Sequence, residues 1–277
     1  MRIDSHQHFW RSSRGDYHWM SESVKVLCRN YMPEDLEPIL ARHRIDRTVL
    51  VQAAQTVAET DFLLELAAEH EWIAGVVGWL DMDSPGFAQQ FARYRRNPKF
   101  IGLRPMLQDI PDAGWIVRPR VLHSLRIVAE DDFPFEFLTY TQHLPHVLKA
   151  LDQVPLRRAV VDHISKPEIA RRVMDPWRSL MAELGGRKIF CKLSGMVTED
   201  DHVHWSAQSL QPYIQHAVEC FGWDRVMFGS DWPVCLLAAS YDDVVSALKT
   251  ALGSQLDEDA ERKLFGENAG RFYKLTA

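Results

Sequence analysis

Short apolar runs alternate with longer amphipathic segments along almost the whole chain, and this alternation is the strongest constraint on its fold. Runs such as Val49–Val51 and Ala159–Val161 are apolar at consecutive positions, which is typical of strands covered on both faces. Strands that alternate with helices form parallel βαβ units. The predicted strands are Ile3–Ser5, Thr48–Gln52, Gly75–Leu80, Phe100–Leu103, Phe135–Leu138, Ala159–Asp162, Ile189–Leu193 and Val226–Gly229.

Amphipathic segments between and after these runs predict helices. Eight strand–helix repeats in 277 residues favour an α/β fold, a (β/α)8 TIM barrel that forms a single domain over residues 1–277. A doubly wound sheet is the alternative, but it needs a glycine-rich loop after its first strand, where this chain has His6-Gln7-His8. The predicted helices are Glu34–His43, Asp61–Glu69, Pro85–Arg95, Arg118–Glu130, Leu144–Gln153, Ile169–Leu184, Ala207–Cys220, Asp242–Leu252 and Glu258–Leu275.

The charge balance argues against polyanionic partners. The formal net charge is −6 and no basic stripe is present, so we expect no nucleic-acid and no membrane partner. The first residues contain no apolar signal core, and the four cysteines form no CxxC pair. We therefore expect a cytoplasmic protein that acts on a small-molecule substrate; a homodimer is one open alternative for its assembly.

The strongest local motif is Asp4-Ser5-His6-Gln7-His8. Two histidines separated by one residue on an extended backbone point to the same side, so their imidazoles can converge on a metal ion or a substrate oxygen. Two unrelated loop histidines are the alternative. The position at the end of the first strand favours a site, because barrel active sites collect at strand C-termini.

A second motif ends the sixth predicted strand, in Val160-Val161-Asp162-His163-Ile164-Ser165-Lys166-Pro167. Pro167 cannot continue strand pairing, so His163 is expected to project into the same rim of the barrel. A strand end with a hydrogen-bonded histidine is the structural alternative.

A third motif, Gly229-Ser230-Asp231-Trp232-Pro233, follows the last strand. Gly229 permits close backbone approach, and Asp231 then falls beside the first strand of a closed barrel. A turn or helix cap is the alternative role for Ser-Asp. Three separate strand ends that each place an ionisable group on one rim favour a catalytic site.

Other residues are weaker candidates. Arg104 ends the fourth strand and could bind a carbonyl or anionic oxygen, while Lys192 and Glu136 lie within strands. All three could equally form interior salt bridges, since charged residues are seldom buried without a partner. In the long connection Phe9–Tyr31, aromatic residues including Trp10 and Trp19 could line an apolar pocket wall.

At these motifs the chain resembles the amidohydrolase superfamily, and within it the predicted metal-dependent hydrolases that include L-fuconolactonase- and L-rhamnonolactonase-type enzymes. The resemblance extends over nearly the whole chain. The residues that carry it are His6-Gln7-His8-Phe9-Trp10, Asp162-His163-Ile164-Ser165-Lys166-Pro167, Lys192-Leu193-Ser194-Gly195, Gly229-Ser230-Asp231-Trp232-Pro233 and Phe265-Gly266-Glu267-Asn268-Ala269-Gly270-Arg271-Phe272-Tyr273.

The resemblance implies catalytic roles for Asp231 and His163, and metal ligands among His6, His8 and Asp231. Many superfamily members carry a metal-binding lysine or histidine after the fifth strand, but this chain has neither there. We therefore expect at most one divalent cation, zinc by preference, and a metal-independent enzyme remains an alternative. The residues expected to bind substrate are His6, His8, Arg104, Trp10, Trp19, Lys192 and Trp232, and the roles of Glu136 and Lys166 stay open.

The predicted activity is ring opening of a sugar lactone by water, with Asp231 as general base. An aromatic- or pyrone-acid decarboxylase of the same superfamily is one alternative, and a catalytically silent sugar-binding barrel is another. A glycosidase is disfavoured because that chemistry needs two facing carboxylates.

Overall fold

All eight predicted strands are present in the computed structural model, which describes residues 1–275, and they pair in chain order in one parallel sheet. A parallel bridge between Gln7 and Trp232 joins the first strand to the chain just after the last, so the sheet closes into the predicted (β/α)8 barrel. The predicted bounds hold within two residues. The strands are β1 Ile3–Gln7, β2 Arg47–Val51, β3 Ile73–Gly78, β4 Phe100–Leu103, β5 Phe135–Phe137, β6 Ala159–Val161, β7 Phe190–Leu193 and β8 Val226–Phe228.

Helices cover the outside of the sheet, and local capping explains several of their starts. Thr56 and Ser240 each accept a hydrogen bond from a backbone amide three residues on, at the first turns of the helices Val57–Glu69 and Tyr241–Leu252. None of the helices within residues 1–275 combines the length and apolar character needed to cross a lipid bilayer. The helices are α1 Pro33–His43, α2 Val57–Glu69, α3 Phe87–Tyr94, α4 Pro119–Glu130, α5 Leu144–Gln153, α6 Trp177–Gly186, α7 Ala207–Phe221, α8 Tyr241–Leu252, α9 Glu258–Arg262 and α10 Asn268–Tyr273.

Two predicted helices differ from the structure. The segment predicted as Ile169–Leu184 forms one short 3-10 turn and then α6, because Arg172 adopts a left-handed conformation and Pro176 cannot continue a preceding helix. The segment predicted as Glu258–Leu275 is divided into α9 and α10 by a wider π-helical turn over Lys263–Glu267. Hydrophobic periodicity does not detect such interruptions.

The apolar core has two parts. The larger lies between the sheet and the surrounding helices. The smaller lies inside the barrel, where Val49, Val160 and Met227 pack with Phe272 and Tyr273 of α10. The last helix therefore packs against the barrel interior, below the strand ends that carry the histidine and aspartate motifs.

The long connection after β1 is an ordered loop rather than an extended linker. Trp10 and Tyr31 form an antiparallel bridge at its base, with both backbone hydrogen bonds at 3.0 Å. The indole of Trp10 donates to the carbonyl oxygens of Leu27 and Arg29 at 3.2 and 2.9 Å. These bonds fold the loop over the C-terminal ends of the strands, where it forms one wall of the site described next.

Candidate active site

His6, near the end of β1, and His8, just after it, converge as their spacing predicts. Their Nε2 atoms lie 3.2 Å apart, and both side chains are buried. His8 is oriented by a contact of 2.8 Å between its Nδ1 and the carbonyl oxygen of Val51 in the neighbouring strand. Because a carbonyl oxygen only accepts, His8 Nδ1 carries the proton and His8 Nε2 presents a lone pair to the site.

Asp231 lies beside these histidines, across the junction of β8 and β1. Its Oδ1 is 3.2 Å from His8 Nε2 and 3.7 Å from His6 Nε2. The backbone allows this approach at Gly229, where a Cβ atom would lie 2.6 Å from the Cβ of His6. Asp231 itself has a left-handed backbone with φ of 56°, which is unusual for a residue other than glycine.

His163 is placed by a single left-handed turn of four residues, His163 to Lys166, with φ angles of 51°, 46°, 57° and 46°. Such a conformation costs roughly 1–2 kcal/mol per residue, so surrounding contacts must hold it. The Trp177 indole donates to the Ile164 carbonyl at 2.6 Å, and Ser165 Oγ lies 2.9 Å from a neighbouring threonine hydroxyl. The turn directs both His163 and Lys166 into the cavity.

The imidazole of His163 reaches the same carboxylate. Its Nε2 lies 3.9 Å from Asp231 Oδ1, and its Nδ1 lies 2.8 Å from the hydroxyl of Ser194. The three imidazoles and one carboxylate expected from the sequence therefore share one site.

Burial dominates the ionisation of this cluster. It lowers the pKa of His6 and that of His163 well below 6.5, and the Lys192 charge lowers the pKa of His6 further. Burial alone would raise the pKa of Asp231, but the adjacent His163 and His8 outweigh it and hold that pKa below its ordinary value. At neutral pH the cluster therefore combines an ionised Asp231 carboxylate with neutral imidazoles at His6 and His163.

Beneath the histidines lies a buried network of charged residues. Lys192 Nζ is 2.6 Å from Glu136 Oε2 and 3.2 Å from Asp162 Oδ1. Arg104 Nη1 donates to the other oxygen of Asp162 at 3.1 Å. The interior salt bridges considered for Arg104, Lys192 and Glu136 are thus present, and Asp162 links them.

Above the histidines opens a cavity of about 200 Å³, which is small enough for a single sugar ring rather than a drug-sized ligand. Its lining combines apolar and aromatic side chains with charged and amide groups. Its lining residues are His8, Trp10, Trp19, Val24, Leu27, Ala53, Arg104, Met106, Gln108, Asp109, Leu138, His163, Lys166, Asp231, Val234 and Leu237.

The donor atoms could hold a single metal ion. Ligand atoms of His6, His163 and Asp231 all lie within 4.8 Å of one another. In a tetrahedral zinc site with bonds of about 2.0–2.1 Å, neighbouring ligand atoms are roughly 3.3 Å apart. The separations of 3.2 Å from His8 Nε2 to His6 Nε2 and to Asp231 Oδ1 match that spacing. The residues therefore fit a mononuclear site.

Three residues expected to bind substrate lie outside the cavity lining: His6, Lys192 and Trp232. His6 is fully buried against His8. Lys192 is fully buried in the charged network, and Trp232 packs edge-on against Phe9 and Tyr31 behind the site. The substrate contacts predicted for Lys192 and Trp232 are therefore not part of the cavity lining.

Several lining residues were not anticipated from the sequence. Met106, Gln108 and Asp109 follow β4, whereas Val234 and Leu237 follow β8. Their only sequence signal is that each follows the C-terminal end of a strand, a position shared by many surface loop residues. Asp162 could have been recognised as a partner for Arg104 or Lys192, because it ends an apolar strand.

Comparisons with known proteins agree with this geometry. The Amidohydrolase family model matches residues 3–275. L-fucono-1,5-lactonases from Burkholderia ambifaria and Burkholderia multivorans are each 37% identical to this chain, and the matches cover 99% of it and 96% of each relative. The crystal structure of an amidohydrolase from Burkholderia multivorans with bound zinc superposes with a TM-score of 0.95 at 36% identity, over 100% of both chains.

The family match spans residues 3–275. It agrees with the barrel of eight parallel strands, with the paired histidines at the end of the first strand and with the aspartate after the last. The chain belongs to the amidohydrolase family.

Proposed function

We propose that this protein hydrolyses a sugar lactone, a six-carbon aldonolactone of the L-fuconolactone type, by adding water to the lactone carbonyl. The observation that carries the proposal is the convergence of the Asp231 carboxylate and three imidazoles at the base of a cavity sized for one sugar ring. The names of the two Burkholderia relatives support the choice of substrate.

Asp231 acts as the general base. It is ionised, it borders the cavity, and a water molecule bound beside it is within reach of its oxygen. Asp231 takes one proton from this water while the water oxygen bonds to the carbonyl carbon. The ring C–O bond then breaks, and the proton passes to the departing ring oxygen, which gives a hydroxy acid.

Negative charge develops on the carbonyl oxygen during the attack. His6, His8, His163 and Arg104 surround the base of the cavity. Of these, His6, His163 and Arg104 would stabilise that charge by hydrogen bonding and by the fixed guanidinium charge. Such pre-positioned groups act most strongly where water is excluded, and all four side chains are almost fully buried.

A divalent cation, when bound, would be held by His6, His8 and Asp231 with His163 in reach, and would supply Lewis-acid polarisation of the carbonyl. Nitrogen and carboxylate ligands in this number suit zinc.

The amphipathic cavity explains how a sugar ring is held. Trp10 and Trp19 offer aromatic faces to the C–H side of the ring. Gln108, Asp109 and Lys166 offer hydrogen bonds to its hydroxyl groups.

The test is a screen of the purified protein against a panel of aldonolactones with a pH indicator. We expect acid release from one sugar series, with no gas formed. Release of carbon dioxide from an aromatic or pyrone acid would instead identify a decarboxylase. Binding of lactones without turnover would identify a silent barrel.

A further inference from the structure

Lys192 occupies a position that a bound cation would take. Its ammonium lies 2.6 Å from Glu136 Oε2, 3.2 Å from Asp162 Oδ1 and 3.1 Å from His6 Nδ1, and the side chain is fully buried. Donor atoms of these three residues all lie within 4.8 Å of one another, the arrangement of a metal-ion site. The barrel thus carries a cation attached to β7 in the centre of this triad.

The two carboxyl groups that contact the ammonium, those of Glu136 and Asp162, each accept a further hydrogen bond. Tyr273 of α10 donates from its hydroxyl to the second oxygen of Glu136. Arg104 donates to the second oxygen of Asp162 at 3.1 Å. Both carboxyl groups are therefore fixed in position around Lys192.

The ammonium determines which nitrogen of His6 carries the proton. A lysine ammonium has only donors, so His6 Nδ1 accepts from Lys192 and the proton of the neutral imidazole lies on Nε2. In His8 the proton lies on the other nitrogen, Nδ1, because Nδ1 donates to the Val51 carbonyl. The Nε2–H of His6 thus faces an acceptor, His8 Nε2, at 3.2 Å.

These assignments form one directional chain of hydrogen bonds, from Lys192 through His6 and His8 to Val51. The His6 proton also lies toward Asp231, whose Oδ1 is 3.7 Å from the same nitrogen. Two contacts stand outside this chain: Asp231 Oδ1 lies 3.2 Å from His8 Nε2, and Arg104 Nη1 lies 3.4 Å from His6 Nε2.

We propose that Lys192 is a positioning residue, an attached cation that makes His6 present its Nε2 proton to the active site and weakens the affinity of the histidine cluster for divalent metal. A metal ion ligated by His6 Nε2 must displace that proton while Lys192 donates to the opposite nitrogen. It must also lie near the guanidinium of Arg104, whose Nη1 is 3.4 Å from His6 Nε2. The inference rests on the proposed function only for its effect on turnover.

Zinc titration of the metal-free protein tests the effect on affinity, with competition against a chromogenic chelator as the readout. Lys192→Met leaves His6, Glu136 and Asp162 without their cation, so we expect zinc to bind roughly 10- to 100-fold more tightly than in the wild type. Lys249→Met, which removes a lysine paired with Glu261 at the surface, is the matched control and should bind zinc as the wild type does. Equal zinc affinity in Lys192→Met and the wild type would overturn the proposal.

A second measurement needs no variant and covers the case in which Lys192→Met does not fold. ¹⁵N NMR of the histidine rings in the metal-free wild type distinguishes the two neutral tautomers. We expect His6 protonated at Nε2 and His8 protonated at Nδ1; His6 protonated at Nδ1 would contradict the proposal. A wild-type protein that opens no lactone would refute the proposed function alone, since zinc affinity and ring tautomers are measured without substrate.

Discussion

His8 Nε2 and Asp231 Oδ1 lie 3.2 Å apart across the junction that closes the barrel, although they are separated by 223 positions in the chain. The backbone holds them there from both sides. The His8 amide donates to the Trp232 carbonyl at 2.7 Å, and the Asp231 amide donates to the His6 carbonyl at 2.9 Å. Closure of the barrel and assembly of the candidate site are thus the same structural event.

Asp231→Asn should remove the general base without disturbing this junction, because asparagine has the same shape and the backbone bonds remain. We expect kcat for lactone hydrolysis to fall roughly 10²- to 10⁴-fold, the usual contribution of a positioned base. Steady-state kinetics on the best substrate of the panel measures it, and an unchanged thermal melt is the control. Turnover near the wild-type rate would remove Asp231 from the mechanism.

Lys166→Met tests whether the ammonium that the left-handed turn directs into the cavity contacts substrate. Lys166 Nζ is 3.8 Å from Glu199 Oε1, too far for a strong hydrogen bond, so its donors are free to bind a ligand oxygen. A hydrogen bond to a charged group is worth about 1.5–3 kcal/mol, so kcat/KM should fall roughly 10- to 100-fold.

Glu199→Gln is the matched control for Lys166. It removes the negative partner of Lys166 without touching the cavity lining, and we expect kcat/KM close to that of the wild type. An equal loss in Lys166→Met and Glu199→Gln would mean that Lys166 acts only through this ion pair.

Arg104→Met should destabilise the fold by about 3–5 kcal/mol, because it leaves the buried carboxylate of Asp162 short of one partner. Adding Asp162→Asn in the same chain removes that uncompensated charge and should restore part of the stability. Urea denaturation of the two variants and the wild type measures the differences. If Asp162→Asn lowers the free energy of unfolding further when it is added to Arg104→Met, the two residues do not act as a pair.

The strands and most helices follow from the sequence because their periodicity is local. The α5 bounds Leu144–Gln153, for example, are those that the apolar spacing predicts. Barrel closure also makes the approach of His6, His8, His163 and Asp231 predictable, since each lies at or just after the C-terminal end of a strand. These predictions needed only strand order and handedness.

The direction in which a buried side chain points is not local, and there the sequence is less informative. The sequence predicts that Lys192 binds substrate, but in the structure its ammonium forms buried salt bridges with Glu136 and Asp162. The left-handed turn at His163 carries no glycine, so nothing in the sequence marks it. Both features depend on contacts between strands that are distant in the chain.

Exhaustive chelation should leave the protein folded and able to hydrolyse lactone. The reason is that the Nε2–H of His6 and the guanidinium of Arg104 already offer positive charge density to the carbonyl oxygen. Elemental analysis must accompany the assay, and the rate before and after dialysis against chelator is the measurement. Complete loss of turnover, restored by zinc, would show that these groups do not suffice without metal.

Glu59 connects the stability of the fold to the wall of the cavity. Its two carboxyl oxygens accept hydrogen bonds from the amides of Ala53 and Ala54 at 2.7–3.1 Å, and Ala53 lines the cavity. Burial raises the pKa of Glu59 from 4.5 to about 8, against the lowering effect of these backbone hydrogen bonds. Between pH 4.5 and about 8, Glu59 therefore keeps its proton in the native state and releases it in the unfolded chain.

The sign of the resulting pH dependence follows from linkage. The contribution of protonated Glu59 to stability is fully present below pH 4.5 and is lost as the pH rises to about 8. Within that window the free energy of unfolding should fall by about 1.4 kcal/mol per pH unit relative to a variant without this ionisable group. Glu59→Gln provides that variant, because it keeps an acceptor for the amides. Urea denaturation of both proteins between pH 5 and 8 measures the difference, and parallel pH profiles would show that Glu59 is ionised in the folded protein throughout.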